Sequence, residues 1–314
     1  MSPWGAVSKR QNSARPPYGP PFGGPPPGPP GAHQAPPGPD RPQGGDDSHL
    51  SQAIQLLNEL NRDQSNNPEY RYLLALCYRE RAGRAHSSDS IAAIQLLEEL
   101  SQQHPAVADY RYELSKTYAR TDVRGLRDDE LDGAEERLRT ALRYADALAV
   151  EHASIPEYAQ SRAHTNHKLG TVVHRSARHF EGPLRDNRFQ ESEELYAEAV
   201  RIQSALVEHF SEAIPYKLWL ATMQQSLANA LSRADKFEEA RSIVEMSITS
   251  LKEIPESSRD AWFVHRFLFE HHRTLAIILD QLGDPAGASQ ACEEADRHRR
   301  QGPRRPERPP RRRP

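Results

Sequence analysis

The chain has 314 residues and a formal charge of −3, a length that suits one large domain or two ordinary ones. The charge is uneven, because the last fourteen residues carry +5 and the first 47 carry +1, which leaves an acidic body of −9. Two cysteines exclude a disulfide framework, no apolar run approaches the ~18 residues of a membrane span, and the N-terminus lacks the apolar core of a secretory signal, so we expect a cytoplasmic protein.

Proline and glycine dominate residues 1–47, as in the stretch PPYGPPFGGPPPGPPGAHQAPPGPD. Few apolar side chains are left there to offset the cost of ordering the backbone, so we predict a disordered linker; a Pro-rich peptide ligand is the alternative. The same reasoning predicts a disordered basic tail over residues 301–314. Its arginines suit non-specific contact with phosphates, or a tether to the acidic body, and we expect no specific nucleic-acid partner.

Residues 48–300 carry apolar residues at helical spacing, with glycine and proline almost only between the periodic segments. Alternation of β-branched residues, the pattern of a strand, is essentially absent. The pattern predicts eleven helices joined by short polar turns such as NNP at 66–68 and ASIPE at 153–157. The sequence therefore predicts an all-α domain over residues 48–300.

A repeat runs through the start of this domain. The phrase AIQLLNEL at 53–60 returns as AIQLLEEL at 93–100, and EYRYLLALCY at 69–78 returns as DYRYELSKTY at 109–118. Two neighbouring helices thus recur together with an offset of 40 residues. A helix–turn–helix unit repeated at this period is typical of a solenoid.

The recurring residue sizes resemble those of the tetratricopeptide repeat (TPR) family. The first helix of each pair carries a large residue, a small one and then a large one a turn later: Leu74–Ala75–Tyr78, Leu114–Ser115–Tyr118, Leu169–Gly170–Val173, Leu227–Ala228–Leu231 and Leu275–Ala276–Leu279. The second helix carries small, large and small residues: Ala134–Leu138–Ala141, Ser192–Tyr196–Ala199, Ala240–Val244–Ser247 and Ala288–Cys292–Ala295, with Ala93–Leu97–Leu100 ending on a large one. The resemblance implies a right-handed α-solenoid of antiparallel helix pairs.

The units are longer than the ~34 residues of the family. We expect the extra residues mostly between first and second helices, at 81–90, 120–133 and 176–189. Long repeats beside a Pro/Gly-rich linker resemble bacterial TPR modules found next to kinases or sigma-factor regulators.

The array begins with half a unit, residues 48–62, followed by about five pairs. This helix is of the second type and has no first-type mate before it in the sequence. Leu50, Ile54 and Leu57 form one apolar stripe on it. Either polar residues close this cap, or the stripe is a docking patch through which the chain forms a homo-oligomer or binds another domain.

The TPR resemblance implies that the first helices line a concave groove, with the lining residues spaced three, four and three apart. We predict a polar, tyrosine-containing groove that binds an extended peptide or a helix. It does not reproduce the clamp with which some TPR proteins hold a terminal carboxylate. The candidates are Glu69, Tyr72, Arg79, Asp109, Tyr112, Lys116, His164, His167, His174, Gln225, Asn229 and Arg273.

Three of these candidates are histidines of one helix face. His167 and His174 are seven residues apart, ~10.5 Å along the axis, so they cannot share a metal ion, and His164 with His167 lacks a third ligand. We expect solvated groove histidines and no metal. The alternative is a set of pH-tuned contacts that gain positive charge near pH 6 and favour acidic partners.

Catalytic signatures are missing from the sequence, including GxxxxGK[ST], GxSxG, HExxH and paired CxxC motifs. We therefore expect no enzyme and no cofactor. The predicted function is a scaffold or adaptor that binds a protein or peptide partner. The alternative is a regulatory or sensor appendage of a larger signalling assembly, a kinase or sigma-factor system, that acts through self-association.

Overall fold

A computed structural model describes residues 46–63, 67–82, 88–123, 125–255 and 261–301. Within these ranges the chain contains eleven α-helices, the number that the sequence predicts, and no strand. The helices are α1 (Asp46–Asp63), α2 (Pro68–Arg81), α3 (Ser88–Gln103), α4 (Ala108–Tyr118), α5 (Leu131–Glu151), α6 (Pro156–Ser176), α7 (Gly182–His209), α8 (Ile214–Arg233), α9 (Phe237–Lys252), α10 (Ala261–Gln281) and α11 (Pro285–Gln301).

The ends of the array differ slightly from the expected bounds. Helix α1 begins at Asp46, two residues before the predicted half-unit, and α11 includes Gln301. The rest of the arms predicted to be disordered, residues 1–45 and 302–314, lies outside the described residues.

Local signals set where the helices begin and end. The Asn67 side chain accepts a hydrogen bond of 2.9 Å from the Glu69 amide, and Pro68 is the first residue of α2, where its missing N–H costs nothing. After α10, Gly283 adopts φ +78°, a conformation that glycine reaches without steric cost. The Asp284 carboxylate then accepts from the Gly287 amide at 2.9 Å and starts α11.

Neighbouring helices run antiparallel, as contacts between α2 and α3 illustrate. Arg71, near the start of α2, donates to Gln103 at the end of α3 at 2.9 Å and also pairs with Glu99. Arg81, at the end of α2, pairs with Asp89 at the start of α3 at 2.7 Å. The predicted all-α solenoid of antiparallel helix pairs is confirmed.

The small and large residues of the repeat form the core, as predicted. Ala134, Leu138 and Ala141 of α5 are all 0% exposed. At Gly170 of α6, an added Cβ would lie 3.0 Å from two ring atoms of Tyr196 on α7, so any larger residue would push the Tyr196 ring away from this close approach. Small residues thus bring helices together, and large ones fill the space between them.

The extra length of the units has two sources, and the sequence prediction covered one of them. Ala93 and Ser115 are 22 residues apart, whereas the equivalent Ala134 and Gly170 are 36 apart. The added fourteen residues lengthen helices: α5 and α6 have 21 residues each, against 16 in α3 and 11 in α4. After its small residue α5 continues for seven residues more than α3, and before its small residue α6 has seven residues more than α4, about two turns in each case.

The prediction that inserts between first and second helices explain the length is therefore wrong for part of the chain. Residues 182–189 belong to α7, and α8 and α9 are joined by a short turn at 234–236. Periodicity alone does not reveal where one helix of a hairpin stops, because each added turn continues the same pattern.

The chain divides into two compact units, whose described parts are residues 46–206 and 207–301. The first contains α1 to α6 and most of α7, and the second contains α8 to α11. None of the helices in the described ranges has the length and apolar content needed to cross a membrane.

Candidate peptide-binding site

Four tyrosines link the first-type helices of residues 46–206. The ring of Tyr72 on α2 lies 5.2 Å from that of Tyr110 on α4, and Tyr112 on α4 lies 5.0 Å from Tyr158 on α6. We call these four residues the tyrosine row. Tyr72 and Tyr112 are predicted groove residues, and the structure joins each of them to the next first-type helix.

Asp109 lies between the two tyrosine pairs. Its side chain is exposed, and its charge raises the pKa of Tyr72 and of Tyr158, in each case after the larger effect of burial. The predicted groove residue Glu69 is also exposed, at the start of α2, where its backbone N–H donates to the capping side chain of Asn67. The row is thus an aromatic surface edged by carboxylates.

Cationic side chains follow the tyrosine row towards the helix C-termini. The Lys116 ammonium lies 4.8 Å from the centre of the Tyr112 ring and 2.9 Å from a Glu113 carboxylate oxygen. On α6, the Lys168 ammonium donates to the Ala119 carbonyl at 2.6 Å. We call Lys116 and Lys168 the lysine pair, because Arg120 acts on both of their charges.

Both members of the lysine pair have a pKa below that of an ordinary lysine. Burial, followed by repulsion from Arg79, lowers the pKa of Lys116 to about 8. Burial and then Arg120 lower the pKa of Lys168 to about 8. Both remain mainly protonated at pH 7, in a place where positive charge is costly and a partner's carboxylate would relieve the cost.

Carboxylates already neutralise part of this cationic group. Arg79, a predicted groove residue, is paired with the buried Glu113 of α4 and lies 2.9 Å from Glu80. Arg120 lies 3.6 Å from the same Glu80 carboxylate. The paired arginines hold α2 against α4, which leaves the lysine pair as the part of the group with fewer ionic partners.

The three predicted groove histidines are not a solvated stripe, and that expectation is wrong for His167, which is 6% exposed. Its ring lies 5.6 Å from Tyr196 of α7, and the ring of His174 lies 5.0 Å from Phe189. The reason is the close approach at Gly170, which lets α7 cover this face of α6.

The pH-tuned alternative does not hold for His164. Burial, and then Lys168 and His167, lower the pKa of His164 to about 3, so this side chain stays neutral near pH 6. No group of three or more His, Cys, Asp or Glu side chains among the described residues is placed to hold a metal ion.

The remaining groove candidates belong to residues 207–301. Gln225 of α8 donates to Thr274 of α10 at 2.6 Å and to Asn229 at 3.4 Å. Arg273 of α10 lies 5.4 Å from the centre of the Phe269 ring, and burial lowers its pKa. These side chains tie α8 to α10, or lie within α10, and their role in a groove stays a prediction.

The predicted docking patch on α1 is mostly covered. Ile54 is 5% exposed, and Leu50 and Leu57 are partly buried, so the stripe packs against its neighbour rather than facing a partner. The open apolar residues are the flanking ones, Leu56 at 60% and Leu60 at 41% exposure. A helix with one neighbour buries its most apolar stripe first, which leaves the adjacent leucines outside.

Sequence reasoning missed Tyr110, Tyr158, Arg120 and Lys168. A signal for the tyrosines exists: an aromatic ring stands six residues before a tyrosine in three turns between second-type and first-type helices. His104–Tyr110, His152–Tyr158 and Phe210–Tyr216 have ring centres 6.1, 5.7 and 5.7 Å apart. Arg120 and Lys168 give no such signal, because they come close to each other only through the packing of α4 on α6.

Comparison with known proteins supports the fold. No family model and no curated protein matches the sequence. Among solved structures, the chain resembles BtubC (BKLC) from P. vanneervenii at 15% identity and a TM-score of 0.53, over 83% of this chain and 94% of that one. A putative kinesin light chain with TPR-like repeats from Podosopora anserina is 18% identical at a TM-score of 0.42, over 75% and 98% of the two chains. The likeness to BtubC shows a shared TPR-like fold and nothing about partners.

Proposed function

We propose that the chain is a protein-interaction adaptor that binds an extended peptide across α2, α4 and α6. The observation that carries the proposal is the tyrosine row with the adjacent lysine pair, which spans three successive first-type helices. A helix-repeat scaffold presents an extended surface, and an extended peptide binds to such a surface without needing a deep pocket. Binding rather than catalysis is therefore the proposed role.

The two halves of this surface select different features of a peptide. Tyrosine rings offer large contact area and hydrogen-bonding hydroxyls at low entropic cost, so they suit an apolar or aromatic side chain. The lysine pair suits an acidic residue, since two partly buried ammonium groups recover part of their desolvation cost when a carboxylate binds. We therefore expect peptides that combine an apolar residue with an acidic one.

Selection from a random peptide display library on the immobilised full chain tests this proposal. The selected sequences should be enriched in Asp and Glu, and Tyr112→Ala should lose them while its circular dichroism stays that of the wild type. Tyr72→Ala is the weaker test, because Tyr72 also packs on the core around Leu97 and Leu114. Equal binding to wild type and Tyr112→Ala, or unfolding of Tyr112→Ala, would contradict the assignment.

The lysine pair adds a pH signature to the affinity of a selected acidic peptide. Both lysines have a pKa of about 8, so their charge is present at pH 7 and largely lost by pH 9, where an ordinary lysine remains charged. Peptide affinity measured by fluorescence anisotropy should fall between pH 7 and 9. Lys116→Gln with Lys168→Gln should remove that fall, and Lys217→Gln, outside the proposed site, should keep it.

Self-association is the second candidate function, and the exposed leucines of α1 and α2 favour it. Leu56, Leu60 and Leu73 are 60%, 41% and 42% exposed, in the half-unit and the helix next to it. Light scattering after size exclusion should then give a concentration-dependent dimer that Leu56→Asp with Leu60→Asp abolishes. A monomer at high concentration would leave the adaptor as the sole candidate.

A further inference from the structure

Three histidines meet where α11 packs on α10. His265 and His272 of α10 are seven residues apart and share a face, and His298 of α11 lies against both. The Nδ1 atoms of His265 and His298 are 3.1 Å apart. The rings of His272 and His298 are stacked, with centres 5.7 Å apart and planes 14° from parallel. We call these three residues the histidine cluster.

His272 is buried without satisfying its ring nitrogens. It is 5% exposed, and neither Nδ1 nor Nε2 has a hydrogen-bond partner among the described residues. Its neighbour His271, 0% exposed, contacts the Phe267 carbonyl at 2.7 Å, the Ser247 hydroxyl at 2.9 Å and the Ala221 carbonyl at 3.2 Å. Two adjacent buried histidines therefore differ sharply, and the unsatisfied one faces α11.

The charges around the cluster are mainly positive. Lys252 from α9, His271 from α10, and His298 and Arg297 from α11 act on His272. His298 faces His265, Lys252 and Arg297, with the carboxylate of Glu294 as its opposing charge. Protonation of the cluster would place further positive charge beside two permanent cations.

Helix α11 contributes only small side chains to its buried face. Its buried residues are Ala291 and Ala295, and Cys292 between them is only partly buried. We therefore expect α11 to open at a lower free energy than helices that bury large apolar side chains. Unfavourable charges at its contact with α10 would then open this helix before the rest of the solenoid unfolds.

We propose that the histidine cluster makes the docking of α11 on α10 acid-labile, so that α11 opens more readily below about pH 6 while the rest of the repeat array stays folded. While α11 is docked, His272 and His298 exclude protons that they accept once α11 has opened. Burial, and then Lys252 and His298, lower the pKa of His272 to about 4. Burial, and then His265, also lower the pKa of His298. Opening is thus coupled to proton uptake by His272 between about pH 4 and ~6.5, and His298 adds to this uptake.

Amide hydrogen exchange of the full chain, read by mass spectrometry at pH 7.5 and 5.5, tests this. Rates are corrected for the intrinsic pH dependence of exchange and compared with α3, a helix that contains no histidine. His272 alone predicts that opening of α11 becomes about tenfold more favourable at pH 5.5, and His298 adds to this. Protection of α11 that stays constant relative to α3 would overturn the proposal.

Variants identify the groups responsible. The double variant His272→Gln with His298→Gln should remove the faster exchange of α11 at pH 5.5. The control His179→Gln should keep it, because His179 is about half exposed in the turn between α6 and α7. Acceleration that persists in the double variant contradicts the proposal. If the double variant leaves α11 unprotected even at pH 7.5, the single His298→Gln decides: it should show a smaller pH response than the wild type, and a full response would count against the cluster.

Discussion

The two units use different polar chemistry to join their helices. In residues 46–206 many of the links are ion pairs, such as Arg111 with Glu151 at 2.6 Å and Arg188 with Glu135. In residues 207–301 several are neutral, such as Gln225 with Thr274 and His271 with Ser247. Both units bury the same repeat of small and large residues, so the apolar core is constant while the polar links vary.

The two units therefore show that polar contacts can differ between repeats that share the same apolar core. These polar contacts determine how stability depends on pH and salt. Carboxylate–guanidinium pairs keep their charges from about pH 5 to 8 and weaken with salt. Links made by neutral, buried histidines resist salt but weaken in acid, because the unfolded chain takes up protons more readily. We therefore expect the second unit to be the more acid-sensitive in its helix-to-helix contacts.

The largest expected effect tests the shared core rather than the polar links. Gly170→Leu places a side chain where even a Cβ would stand 3.0 Å from Tyr196, so we expect a loss of about 3 kcal/mol in unfolding free energy. Gly133→Leu is the matched control, since an added Cβ there meets only Arg137 at 3.5 Å. Urea unfolding followed by circular dichroism measures both, and equal midpoints would contradict close packing at Gly170.

The acid response of the second unit follows from His271. Burial lowers its pKa to about 4, so its contribution to stability is complete above ~6.5 and is lost as the pH falls towards 4. Between pH 7 and 5 we expect a loss of about 2 kcal/mol for this group. His271→Gln should flatten the decline in urea midpoint over this range, and an unchanged slope would exclude His271 as its source.

The ion pairs of the first unit should lose their stabilisation at a lower pH than the histidine contacts of the second unit. Burial raises the pKa of Glu135, but hydrogen bonds from Arg188 and Arg139 outweigh it and hold the pKa below its usual value. The stabilisation is thus present above pH ~4.5 and lost only in stronger acid. Glu135→Gln should lower the free energy of unfolding, measured with urea at pH 7, by about 1 kcal/mol. An unchanged free energy would mean that this ion-pair network does not stabilise the fold.

The smallest expected effect comes from an exposed pair in the second unit. Arg241 and Glu245 of α9 lie 2.9 Å apart, with both side chains exposed to solvent. Arg241→Gln should leave the urea midpoint unchanged within error, because exposed pairs contribute little. A clear loss would show that surface charge, and not the choice of buried polar links, separates the two units.

Much of the fold could be predicted from the sequence. The offset between the two AIQLL phrases indicates a helical repeat, and the resemblance to TPR repeats places Ala134, Leu138 and Gly170 in the core, where the structure has them. Helix number also follows, because apolar periodicity and turn residues are properties of short segments. These features depend on local spacing and residue volume, which the sequence states directly.

Tertiary structure alone decided which helix faces stay open. His167 has the right spacing for a groove, yet α7 covers it. Ile54 has the right spacing for a docking patch, yet it is buried against the neighbouring helix. Nothing in the sequence of α6 indicates a role for Lys168. It lies near the end of α4, where Arg120 acts on its charge, only because α6 packs on α4. Periodicity describes one helix at a time, whereas exposure and the pKa of a side chain depend on what its neighbours bring to the same place.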